Sequence, residues 1–131
     1  MLASLFFLNY CNNYKQLTSQ TEVLFRHKWK LAELDGQVVA DTTRSTFEFT
    51  PGRISGSAGC DWLSADFIPG KHQTIRFVVD TTGKKECGNQ PAATLETRFW
   101  DAISKSTKWD LNGGQLWLGD GGMTLIKLRS L

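Results

Sequence analysis

At 131 residues, with 40% apolar and 21% charged positions, the chain fits one globular domain and is too apolar to be disordered throughout. Its 15 basic and 13 acidic residues leave a formal charge of +2 with no basic run beyond Lys84-Lys85, which argues against a nucleic-acid-binding face. Three cysteines without a CxxC spacing exclude a zinc ribbon or a thioredoxin-type site.

The first 27 positions read as an export-signal-like segment and a tether. Met1 to Leu8 is apolar, and no charge appears before Lys15. The run is too short to span a bilayer and resembles the end of a secretory apolar region. Cys11 follows it as in a bacterial lipoprotein signal, which implies lipidation of Cys11. Tyr10 departs from that pattern, which places a small residue before the cysteine. The alternative is an apolar tail with a free thiol. Residues 12–20 are polar, and the domain is taken to run over 28–131.

Lys28 to Leu34 alternates, with Trp29 and Leu31 on one side, as a half-buried strand does. Asp35-Gly36 turns the chain into a second strand over Gln37 to Ala40, predicting a hairpin. Arg44 to Thr50 alternates with Phe47 and Phe49 inward, and Pro51-Gly52 turns into a returning strand over Arg53 to Ser57. Asp61 to Phe67 and Thr74 to Val79 continue the sheet. The period then changes. Pro91 suits a first helical turn, and Leu95, Phe99, Ala102 and Ile103 form one apolar stripe. That stripe leaves Thr94, Glu96, Thr97, Arg98 and Asp101 mainly on the solvent side. Three short strands follow, separated by Asn112-Gly113-Gly114 and Asp120-Gly121-Gly122, as in a meander.

Trp29 to Leu128 resembles the META domain, or HslJ-like, family. The resemblance rests on Trp29-Lys30-Leu31, on Phe47-Glu48-Phe49 and on the run Ile54 to Asp61 that contains Gly56-Ser57-Ala58-Gly59-Cys60. It rests further on Thr81-Thr82 leading to Cys87, on Glu96, Phe99 and Ile103, and on Leu116-Trp117-Leu118 with Met123 to Leu128. This chain departs from the family at Asp61, usually asparagine, and at Ser64-Ala65. It departs again before Cys87, where the threonine stands one place further away. The resemblance implies an α+β fold, with a strongly bent, half-barrel-like antiparallel sheet and one packed helix. It also implies a cell-envelope setting (periplasm, outer-membrane lipoprotein or secreted) and links to heat shock and antibiotic tolerance. It brings no catalytic residues.

The residues themselves offer little chemistry. Gly56, Ala58 and Gly59 lack the Lys-Ser or Lys-Thr of a phosphate loop and read as a bulge or tight crossing in a strand. Cys60 and Cys87 form a disulfide if the chain is exported and remain two buried thiols if it is not. His27 and His72 stand alone, without the carboxylate spacing of a metal site or a cysteine-activating base. Asp61 and Asp66, five apart, would face opposite ways on a strand. Trp62, Trp109 and Trp117 alternate away from their apolar neighbours or end strands, and form a candidate binding surface or cover the sheet's second face. The expectation is a monomeric, non-enzymatic envelope module without metal or cofactor. It would bind an envelope protein or an apolar ligand through the concave sheet. Its contact with membrane would be only through an anchor at Cys11. A small hydrolase built on Asp61, Asp66, His72 or Lys85, or a purely structural domain, are the alternatives.

Overall fold

A computed structural model of the protein describes residues 21–40, 45–80 and 87–131. Cys11, the apolar N-terminal run, Thr81-Thr82 and Lys84-Lys85 lie outside them. Nine strands form one antiparallel sheet. They are β1 (Lys28–Leu34), β2 (Gln37–Val38), β3 (Thr46–Thr50), β4 (Arg53–Ser57), β5 (Leu63–Pro69), β6 (Ile75–Asp80), β7 (Lys108–Asn112), β8 (Gln115–Gly119) and β9 (Thr124–Ser130). One long helix, α1 (Gln90–Lys105), separates β6 from β7. Among the described residues no helix is long and apolar enough to cross a membrane.

The strand order is β6-β5-β4-β3-β1-β9-β8-β7, with β2 paired to β1 alone. The sheet bends so far that its two ends meet. Thr74, next to β6, bridges Lys108 of β7, and the Ile75 N–H donates to the Thr107 carbonyl at 2.9 Å. The α+β reading therefore holds, and the expected half-barrel is nearly a closed barrel. Its interior is filled from every strand except β2: Trp29, Leu31, Phe47, Phe49, Ile54, Leu63, Phe67, Phe77, Trp109, Leu116, Leu118, Ile126 and Leu128 are all buried. A sheet curled on itself packs its concave face as a core. Among the described residues the concave face, expected from the sequence to bind a ligand, is occupied by these core side chains.

Local chemistry explains the elements. Asp35 and Gly36 both take positive φ (50° and 80°), the mirror-image turn that Asp-Gly favours. β2 stops at Val38, short of Ala40. The alternation of β1 breaks between Leu31 and Glu33, where the register with β9 shifts, so that Leu34 also turns inward. Asn89 caps α1, its Oδ1 accepting from the Ala92 N–H at 3.3 Å, and Pro91 lies in the first turn. Ser106 ends the helix, its N–H donating to the Ile103 carbonyl and its buried Oγ to that of Ala102.

α1 packs on β6, β9, β1 and β8. Phe99 stacks on Phe47 with centroids 4.2 Å apart, and Trp100 meets both rings edge-on. The packed body also begins before the expected boundary at Lys28. Residues 21–26 are helical, Leu24 is buried, and the Trp29 indole N–H donates to the Leu24 carbonyl at 3.0 Å.

Candidate functional site

The three tryptophans proposed as one surface do not gather. Trp62 is 63% exposed and stands just after Cys60. Trp109 is 3% exposed and belongs to the core. The register Trp109↔Leu118 and Asp110↔Trp117 puts Trp109 inside and Trp117 outside. The sequence reading placed Trp109 on the wrong face, because a one-residue ambiguity in a short strand reverses every side chain.

Trp109 and Trp117 nevertheless meet at one place. They line an open groove of about 260 Å³ with Lys108, Asp110 and Met123, walled by the glycine-rich turn between β8 and β9. Asp120 shapes that turn, its Oδ1 accepting from the N–H groups of Gly122 and Met123 at 3.1 and 2.9 Å. Met123 is left exposed. The Trp117 ring is held firmly. Its N–H donates to Gln115 Oε1 at 3.0 Å, and the Lys127 ammonium sits 4.6 Å from the ring centroid while pairing with Glu33 at 3.2 Å. The Trp109 indole N–H is buried without an acceptor among the described residues.

The second constellation surrounds the cysteines. Cys60 and Cys87 are disulfide-bonded, with Cα atoms 5.8 Å apart. The bond ties the chain leaving β4 to the start of α1. The preceding segment is built for close approach. Gly56 lies opposite Phe47 in an unbroken register, and a Cβ there would collide with the Thr46 carbonyl and the Phe47 ring. It is thus a tight crossing and not a bulge. Gly59, at φ 115°, turns the strand end toward Cys60, and its N–H donates to Ser57 Oγ at 3.0 Å.

Glu96 of α1 reaches this point from the helix side. It is 2% exposed, and its Oε1 accepts from the Asp61 N–H at 3.3 Å. The apolar stripe led to Glu96 being placed in solvent, and this is incorrect. Its spacing to Phe99 and Ile103 (i, i+3, i+7) puts it on the buried face. A carboxylate at such a position is invisible to a search for apolar residues.

The residues proposed for a hydrolase are dispersed. Asp61 faces Glu96, Asp66 pairs with Arg53 at 3.7 Å on the outer face of β5, and His72 is exposed on the 3-10 turn Lys71–Gln73. Lys85 lies outside the described residues. His27 is exposed beside Trp29.

The fold is similar to that of a DUF4847 family protein from Bacteroides vulgatus ATCC 8482. The TM-score is 0.61 at 14% identity, covering 82% of this chain and 94% of that one. None of the curated proteins matches the sequence. Residues 22–130 match the META domain family model, a span that takes in Leu24, the barrel, the cysteine pair and the helix. The chain belongs to the META domain family.

Proposed function

We propose that the protein is a non-catalytic module of the bacterial cell envelope. It takes an apolar side chain of a partner protein segment in the groove between Trp109, Trp117 and Met123. The groove itself is the observation that carries this reading. At about 260 Å³ it is smaller than most small-molecule pockets, which begin near roughly 300 Å³, and it is open to solvent. A trough of that kind suits one side chain on a passing segment. Lys108 and Asp110 supply charge at its rim. The pinned Trp117 ring loses little freedom on contact, which is what makes rigid aromatics effective anchors.

The disulfide supports placement in an oxidising compartment, as periplasmic, secreted or lipid-anchored through Cys11. A role in stress or antibiotic tolerance follows from the family alone. The dispersion of Asp61, Asp66 and His72 supports the non-catalytic reading, because catalysis needs convergent ionisable groups.

Capped Gly-Phe-Gly and Gly-Lys-Gly peptides, titrated into 15N-labelled protein, test the groove. The phenylalanine peptide is expected to shift the Trp117 indole and Met123 amide resonances saturably, and Trp117→Ala should abolish the effect. No saturable shift, equal response to both peptides, or shifts that survive Trp117→Ala would refute it.

A further inference from the structure

We propose that Cys60, Cys87, Asp61 and Glu96 become a site for a divalent cation of the zinc type when the disulfide is reduced. The ion then replaces the S–S bond as the clasp between the end of β4 and the start of α1.

The geometry brings three donors to one point and a fourth beside them, from three places in the chain. Cys60 and Asp61 follow β4, Cys87 precedes the Asn89 cap, and Glu96 projects from the second turn of α1. The Cys60 sulfur and carboxylate oxygens of Asp61 and Glu96 all lie within 4.8 Å of one another. The Cys87 sulfur is bonded to that of Cys60 and lies just outside this group. Zinc bond lengths of about 2.3 Å to sulfur and about 2.0–2.2 Å to oxygen put tetrahedral ligands roughly 3.3–3.8 Å apart. A Cα separation of 5.8 Å lets both sulfurs reach one ion once the S–S bond is open, with the Cys87 side chain turning toward the carboxylates.

Two thiolates and two carboxylates make a donor set suited to a borderline-soft cation. Glu96 is fixed by its burial in the helix face, and the Asp61 N–H that donates to Oε1 orients its carboxylate, as outer partners orient metal ligands elsewhere. Redox state gates the site, because the thiolate is the ligand and a disulfide sulfur is not.

The chemistry balances with a dithiol as reductant. The dithiol gives two electrons and two protons, closes to its own disulfide, and leaves Cys60 and Cys87 as thiols. Binding of the ion then releases the two thiol protons to solvent.

The test uses the full chain carrying Cys11→Ser, so that only this pair of thiols reports. Reduced with a phosphine, which departs as its oxide, the protein is titrated with Co2+ without oxygen. The expected result is one Co2+ per chain, with the strong visible bands of a tetrahedral site and a thiolate-to-cobalt charge-transfer band. Zn2+ should displace it. The oxidised protein should give neither band, and Cys87→Ser should lose most of the charge-transfer intensity. Glu96→Gln and Asp61→Asn should keep that band but weaken binding at least about tenfold, the low end for loss of even an outer partner of a metal.

Asp61 is only partly buried, so its variant remains informative if Glu96→Gln fails to fold. Absence of saturable binding by the reduced protein, equal binding by the oxidised protein, or parental affinity in Asp61→Asn would overturn the proposal. None of these outcomes bears on the groove, which lies on β7, β8 and their turns.

Discussion

Phe47 stacks on Phe99 because residue 56, its partner across the sheet, has no side chain. The Phe47 ring occupies the space that a Cβ at Gly56 would take, with Cδ1 only 2.7 Å from that position. The neighbouring atoms include backbone of β3, which cannot swing aside. Gly56→Ala is therefore expected to destabilise the fold by about 1–3 kcal/mol, as overpacking of a filled core does. Urea unfolding checks this, and an unchanged midpoint would mean that Phe47 is free to move. From the sequence, Gly56 was legible as a bulge or a tight crossing, but neither the choice between them nor its partner was. Glu96 was misread at the same scale: polarity alone placed it in water, and only the position of its neighbours on the helix reveals its burial.

The helix shows how far an element can be read from its period. Its apolar stripe and its first-turn proline were both legible. Its end carries a finer signal. Lys105 in the last turn pairs with Asp101 at 2.9 Å, and the hydrogen bond and charge of Asp101 raise the lysine pKa above its ordinary 10.5. A cation at this end also complements the helix dipole. A folded pKa above the unfolded one means that the stabilisation is fully present below pH 10.5 and is lost as pH rises through the folded value. An NMR titration of the Lys105 side chain should show the raised midpoint, and Asp101→Asn should return it toward that of an ordinary lysine. The β7 strand was harder to read. It holds five residues, with Trp109 and Leu111 inward and Asp110 outward, and so short a run does not fix which side its tryptophan takes.

At the scale of the molecule, the bent sheet and its one long packed helix were legible, whereas closure and the helical turn over residues 21–26 were not. The seam rests on Thr74, Ile75, Thr107 and Lys108, which carry no joint pattern in the sequence because main-chain pairing needs none. Filling of the interior leaves the groove at the β8–β9 turn, and not the concave face, as the place where the proposed partner would bind. The disulfide ties this body across 27 positions, a loop whose closure entropy corresponds to about 3.5 kcal/mol. Cys60→Ser with Cys87→Ser should lower the unfolding free energy by about 2–4 kcal/mol in urea. An unchanged stability would mean that the clasp only decorates an already rigid corner.

The position of β1 governs how the molecule can be assembled. This strand lies between β3 and β9, and its Trp29 pairs with Ser130, about 100 positions further on. Its pairing on that side therefore waits for β9. Contacts so remote in sequence are reached only after the entropy of a long loop has been surrendered, which slows folding. Until then β1 presents an unpaired edge of the kind that invites pairing with other chains. Synthesis of the last strand is thus the step that turns a collection of hairpins into a barrel.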